Sequence, residues 1–127
     1  MSSHEELVQR MWAAYERRGL EAILDFAAPD AEWRPYSAGG LVFADTESYR
    51  AHVTEQVRRG EFVDATLVSV EQLDEDTVLV SGRLRVRFED SLEDAPMFWL
   101  HRFRGDQIIF TESGPRRDDL LSPPGDG

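Results

Sequence analysis

The stretch from Met97 to Gly114, MFWLHRF then RGDQ then IIFTESG, restricts the fold more than any other part of the chain. Two apolar runs flank Gly105-Asp106, a short-range signature of a β-hairpin. With Gly105-Asp106 as a two-residue turn, Arg104 pairs with Gln107, Phe103 with Ile108, His101 with Phe110 and Trp99 with Glu112. Side chains alternate along a strand, so Met97, Trp99, His101 and Phe103 share a face with Ile108, Phe110 and Glu112. That face is aromatic and apolar, with two titratable groups set into it, and is expected to line a core or a cavity. The opposite face carries Arg102, Arg104, Thr111 and Ser113 together with the apolar strip Phe98, Leu100 and Ile109. An exposed strip of that kind marks an interface, and a homodimer through this outer sheet face is the expectation.

The rest of the chain supplies what such a hairpin packs against. Ser3 and Glu6 fit a capping box, and Leu7, Val8, Met11, Ala14, Tyr15 and Arg18 follow at helical spacing, so a first helix is predicted from about His4 to Arg18, stopped by Gly19. Trp12 and Tyr15 lie on or beside its apolar stripe, as core residues or as cavity walls. A short second helix is predicted over Leu20 to Ala28, ended by Pro29, then a strand over Ala31 to Tyr36 and a loop over residues 37–40. Asp45 is the N-cap of a third helix that places Tyr49, His52, Val53, Gln56 and Val57 on one side and stops at Gly60. Glu61 to Leu73 and Thr77 to Phe88 read as paired strands around Glu75-Asp76. Pairing Asp74 with Thr77 sets Leu67 against Leu84 and Ala65 against Val86, with Arg83, Arg85 and Arg87 on a charged outer face. Glu89 to Pro96 reads as an acidic loop, and the residues after Arg116 as a polar tail.

Composition narrows the partners. The chain of 127 residues is one domain by length, and 41% hydrophobic content is enough for a single core. A formal net charge of −11 opposes nucleic acid or an anionic membrane surface as partner, since both require a basic footprint. With no cysteine there is no disulfide framework, thiolate nucleophile or zinc–cysteine site. Neither a signal peptide nor a membrane-spanning apolar stretch is legible, and the balance is ordinary for a cytoplasmic protein.

Helices gathered on one face of an antiparallel sheet make an α+β two-layer domain. The opening helix ELVQRMWAAYERRG, the segment LEAILDFAAPDAEWRP and the hairpin FRGDQIIFTESG resemble the NTF2-like superfamily, in its SnoaL-like branch of small polyketide cyclases and stand-alone pocket proteins. The likeness runs from about Glu5 to Arg117. It implies a single domain over residues 1–117 with a flexible tail over 118–127. In that domain, three N-terminal helices would pack on a strongly curved antiparallel sheet around a central pocket. Ketosteroid-isomerase-like members carry an acidic base just before the proline that follows the first strand. Here Arg34 precedes Pro35, and arginine cannot serve as a base at neutral pH. Limonene-epoxide-hydrolase-like members require two Asp and one Arg in the cavity, and the inward faces derived above carry no Asp. Polyketide-cyclase-like members use one acid on the final strands, sometimes helped by a His, and Glu112 with His101 is similar in kind.

Glu112 and His101 are therefore the candidate catalytic pair, with Arg34, Tyr36, Trp99, Tyr15, Phe103, Phe110, Trp12 and His52 as candidate ligand-binding residues. A carboxylate in an aromatic pocket has its pKa raised, and such a group beside a His can take a proton from carbon next to a carbonyl. The alternative is that Glu112 pairs with Arg34 or Arg116 and His101 is a hydrogen-bonded core residue. The three histidines sit on different elements without ligand spacing, so neither a metal nor a cofactor is expected. The resemblance implies a cofactor-independent isomerase, cyclase or lyase acting on a small, largely apolar substrate. The same pocket also suits a non-catalytic binding module, and the outer face a dimeric interaction protein.

Overall fold

The computed structural model describes residues 4–36, 41–88 and 91–121. Along these the chain forms α1 (His4–Arg18), α2 (Leu20–Leu24), β1 (Ala27–Arg34), α3 (Thr46–Arg58), β2 (Glu61–Asp74), β3 (Thr77–Phe88), β4 (Ser91–Arg104), β5 (Gln107–Gly114) and α4 (Arg117–Leu121). The expected Ser3 cap, the loop over 37–40, Glu89 at the start of the acidic loop and the end of the tail over 122–127 lie outside the described residues.

Helix α1 buries Leu7, Val8, Met11 and Trp12 on one stripe and ends at Gly19, whose φ of 79° suits only glycine without strain. Helix α3 starts as expected, the Asp45 side chain accepting from the Ser48 N–H at 2.7 Å. Helix α2 is shorter than expected. It ends at Leu24, and Pro29 falls inside β1 rather than terminating a helix. β1 is an edge strand, where the missing N–H of a proline is tolerated.

The architecture is α+β, with one five-stranded sheet in the order β1-β5-β4-β3-β2. The sheet is mixed rather than antiparallel throughout, because β1 runs parallel to β5. Nor are three helices gathered at the N-terminus. α2 is a five-residue stub, α3 follows β1, and α4 comes after the last strand. β4 also begins earlier than expected, at Ser91, so Ser91 to Pro96 is strand rather than loop. Pro96 fits because β5 ends at Gly114 opposite Phe98, which leaves this part of β4 with an open edge.

Three bulges shape the antiparallel pairs of the sheet, and the parallel pair β1–β5 shifts once more between Ala27 and Glu32. β2 and β3 begin pairing at Asp74↔Thr77, then shift near Leu73 and again near Val68, so that Ala65 meets Leu84 rather than Val86. Two shifts restore the parity of the side chains, and Arg83 and Arg85 face outward as expected, pairing with Asp94 at 2.9 and 3.5 Å. In the β4–β5 hairpin there is a single bulge. Arg104↔Gln107 and Phe103↔Ile108 pair as expected, but beyond Ile109 the register becomes Arg102↔Phe110, His101↔Thr111, Leu100↔Glu112 and Trp99↔Ser113. A one-residue slip exchanges the faces. Phe110 and Glu112 thus move to the outer face, and Thr111 and Ser113 to the inner one.

The inner face joins α1, α2 and the sheet through Val8, Met11, Ile23, Leu24, Ala31, Val78, Val80 and Met97. On the outer face Leu79, Leu100 and Leu120 form a second cluster, flanked by Leu73, Phe98 and Phe110. Leu120 belongs to α4, so the segment after residue 117 begins as a helix that covers the sheet rather than as a polar tail. That cover takes Leu100, 2% exposed, out of the apolar strip on which the expectation of a homodimer through this face rests, and leaves Phe98 and Ile109 half-buried.

Candidate functional site

Between the helices and the inner sheet face lies a cavity of about 470 Å³, within the range of small-molecule sites. Positions 12 and 15 share a face of α1, and from it Trp12 and Tyr15 form one wall. α3 adds Tyr49 and Gln56, one face repeated after two turns. β1 adds Trp33, β4 adds Trp99 and His101, and β5 adds Thr111 and Ser113. The exposed Arg18, Glu21, Val57 and Arg58 border it as well, so the cavity opens between the start of α2 and the C-terminal half of α3.

The walls are built from paired rings. Trp12 stands edge-on to Trp99 with centroids 4.8 Å apart, and Trp33 stacks on Tyr49 at 4.8 Å. The indole N–H of Trp33 donates to the Thr46 hydroxyl at 3.1 Å, which donates to the Ala28 carbonyl at 2.7 Å, pinning the first turn of α3 to β1. The Tyr15 hydroxyl oxygen accepts from the Ala65 N–H at 3.1 Å. Burial, with the Asp64 charge adding to it, raises the Tyr15 pKa, and burial raises that of Tyr49. Both phenols stay protonated and remain donors.

His101 is the most deeply buried titratable group, at 1% exposure. Its Nδ1 lies 2.9 Å from Thr111 Oγ1, while its Nε2 is buried without a partner among the described residues. Burial lowers the pKa to about 3, so the ring is neutral at physiological pH. The Thr111 hydroxyl can donate or accept, and its rotation decides which nitrogen of the ring holds the proton.

Of the residues named from sequence, Trp12, Tyr15, Trp99 and His101 come together here. Arg34, Tyr36 and Glu112 do not. They border a second, more open depression beside Leu41, Val42 and Glu93, which shares Pro35, Leu84 and Ser113 with the cavity. Glu112 sits opposite Leu100, across the sheet from His101, so the expected catalytic pair is split. Arg34 pairs with Glu32 at 2.5 Å and lies over the Phe110 ring at 5.8 Å. Phe103 leaves the cavity for a different duty, stacking on His4 at 4.6 Å where His4 meets the Glu75 and Gly105 carbonyls at 2.7 and 2.8 Å. His52 packs on Phe43 with centroids 4.9 Å apart and does not line the cavity. Sequence reasoning missed Trp33, Tyr49, Gln56, Thr111 and Ser113. The shared helical face of Tyr49 and Gln56 was the signal for those two, whereas Thr111 and Ser113 were hidden by the bulge.

A family model of the SnoaL-like domain matches residues 8–110. The chain belongs to the SnoaL-like family. Similar solved structures include an NTF2-like protein from Burkholderia thailandensis, with TM-score 0.77 and 16% identity over 97% of this chain and 100% of that one. An NTF2-like protein of unknown function from Burkholderia pseudomallei gives TM-score 0.75 and 17% identity over 95% and 96%. A protein of ketosteroid isomerase-like fold from Catenulispora acidiphila, in complex with trimethylamine, gives 0.72 and 20% over 94% and 92%. Identities this low carry the fold alone. Comparison with curated proteins finds no match.

In this SnoaL-like chain the carboxylates bordering the cavity, Glu21 and Glu61, belong to its open end, and Glu21 is ion-paired with Arg50 at 3.2 Å. Among the described residues no cluster of three His, Cys, Asp or Glu could hold a metal, and no helix is long and apolar enough to cross a membrane. The arrangement is suited to enclosing an uncharged ring system between tryptophans and meeting it with neutral polar groups.

Proposed function

We propose that the protein binds a small, uncharged, largely apolar molecule in the aromatic cavity, with His101 as the polar group that orients it. The observation that carries this reading is the neutral His101 in the cavity wall, with Nδ1 tied to Thr111 and Nε2 buried without a partner among the described residues. An unsatisfied buried polar atom costs about 1–3 kcal/mol, and such atoms call for an explanation wherever they persist. A ligand provides one by displacing the side chains that now close Nε2 off from the cavity and supplying the missing partner in their place. A ring whose pKa is lowered to about 3 is a weak general base near neutrality, which favours hydrogen bonding over proton abstraction as its role. The acid/base reading as an isomerase, cyclase or lyase depends on Glu112 beside His101, and those residues occupy opposite faces. Binding is therefore the better supported of the two.

The test is titration with a neutral fluorescent probe, N-phenyl-1-naphthylamine, against the wild type and Ala65→Trp, which puts an indole into the cavity from β2. Saturable binding to the wild type and its loss in the variant are the expected results. Equal binding to both would place the probe elsewhere and defeat the reading.

A further inference from the structure

The sheet has one long open edge inside it. β5 ends at Gly114, opposite Phe98, while β4 extends back to Ser91. Among the described residues no strand lies beside Leu92 to Met97 on the side away from β3. Pro96 has no N–H to give to β3, so its main chain faces that open side, and by alternation the main chains of Leu92 and Asp94 face it too. At ~3.4 Å per residue the edge is about 20 Å long. Free N–H and C=O groups in such a row are a template for another strand.

The surface beside the edge says what kind of strand fits. Glu93, Ala95 and Met97 lie opposite Val86, Leu84 and Gly82 of β3 and share their face. Leu84, Val86, Ala95 and Met97 give the open depression its apolar lining, and Tyr36, Leu41 and Val42 on its border are each more than half exposed. Two carboxylates border it, Glu93 and Glu112, and neither is ion-paired among the described residues. The cation there, Arg34, is already engaged by Glu32 at 2.5 Å. The unbalanced charge is therefore negative. A second copy is a poor occupant, because antiparallel pairing of two such edges sets the Glu93 and Asp94 acids of one chain near those of the other, on chains of net charge −11. We propose that the β4 edge is a docking site for an extended segment of another protein, one that alternates apolar residues with lysine or arginine. Its main chain pairs with Leu92, Asp94 and Pro96, its apolar side chains enter the depression, and its cation meets Glu93.

The experiment titrates nitrogen-15-labelled protein with the capped peptide Lys-Thr-Val-Thr-Val-Thr-Lys, whose palindromic sequence suits either strand direction. Saturable shifts of the backbone amides along β4 from Ser91 to Phe98, with a dissociation constant below about 1 mM, are expected. The charge-reversed peptide Glu-Thr-Val-Thr-Val-Thr-Glu should bind at least about tenfold more weakly, and Glu93→Lys should abolish or invert that preference. Leu92→Pro, which removes an open-side N–H as Pro96 already does, should weaken the lysine peptide several-fold. No saturable shift, shifts centred on the aromatic cavity, equal binding of the two peptides, or a preference that survives Glu93→Lys would overturn the proposal. A dimeric mass by light scattering that Leu92→Pro reduces to a monomer would assign the edge to a second copy and overturn it as well. The binding role of the aromatic cavity is read with a different probe and stands or falls separately.

Discussion

Leu100 and His101 are chain neighbours on β4, yet the outer face that Leu100 joins is filled, whereas the inner face that His101 joins borders a cavity. On the outer face Leu79, Leu100 and Leu120 close on one another, with α4 as the cover. On the inner face the rings of Trp12, Trp33, Tyr49 and Trp99 brace against each other around a void of about 470 Å³. Leucine fills gaps. Flat rings in edge-on and stacked pairs can leave a space walled by apolar surface, and interiors close-pack wherever nothing prevents it. The difference supports the binding role proposed for the inner face, and mutations can test it.

The largest effect is expected where packing is complete. Leu100→Ala removes buried methyl groups from a filled cluster and should cost about 2–5 kcal/mol in urea unfolding. Ala65→Leu on the inner face adds volume where a void exists, and should cost much less while abolishing binding of N-phenyl-1-naphthylamine. If the two substitutions cost the same, the contrast between filled and hollow faces is wrong.

Gly82 tests how the hollow is kept. It sits on β3 opposite Met97, at the bulge where β2 shifts register. A Cβ there would lie 2.0 Å from the Thr66 carbonyl oxygen and 3.2 Å from the Trp99 ring. The first of these is backbone and cannot swing aside. Gly82→Ala should cost about 3 kcal/mol, at the upper end for overpacking, and should displace Trp99, readable as a shifted fluorescence maximum. A cost below about 0.5 kcal/mol would mean that the strand pairing yields and the close approach is not a constraint.

His101 makes the inner face sensitive to pH. Its folded pKa of about 3 lies below the ordinary value of 6.5, so below that value the unfolded chain binds more protons than the folded one. Stability then falls as pH falls from about 6.5 toward 3. Between pH 7 and pH 5 the loss should be about 2 kcal/mol. Asp45, Asp74 and Asp94 have lowered values and contribute only in more acid solution, below the ordinary 3.8. The measurement is urea unfolding at pH 7, 6 and 5 for the wild type and His101→Gln. The two should differ in slope, and parallel curves would show that the imidazole is not held neutral by burial.

The bulges explain which parts of this arrangement were legible in the sequence. Helical spacing and Asp45 located α1 and α3 because those signals are local. The Gly105-Asp106 turn set the first two pairs of the hairpin for the same reason. A bulge leaves no comparable mark, since an apolar run such as Ile108-Ile109-Phe110 reads the same with or without an extra residue. In β2–β3 two bulges cancelled, so the outward arginines were placed on the correct face with the wrong partners. In β4–β5 one bulge did not cancel, and every residue of β5 after it changed sides. His101 stayed on the inner face because the extra residue lies in β5, and Trp12 and Tyr15 because α1 was counted from its own period. The cover over Leu100 was missed because DDLL reads as polar until the sheet beneath it is known.

The smallest effect is expected at Glu112. It is half-buried, stands opposite Leu100 on one side and Arg34 on the other, and borders the open depression instead of the aromatic cavity. Glu112→Gln keeps the shape and removes the charge. Away from buried networks such a change moves stability by no more than about 0.5 kcal/mol, and it should leave the affinity for N-phenyl-1-naphthylamine within twofold. It could do more only through the residues that border both depressions, Pro35, Leu84 and Ser113, of which Ser113 has the polar link, its hydroxyl accepting from the Tyr36 N–H at 2.8 Å. Ser113→Ala separates the cases. If Glu112→Gln weakens probe binding tenfold and Ser113→Ala does the same, the two depressions act as one site and the faces are coupled. If neither substitution moves the affinity, the bulge at Ile109 has isolated the carboxylate from the cavity.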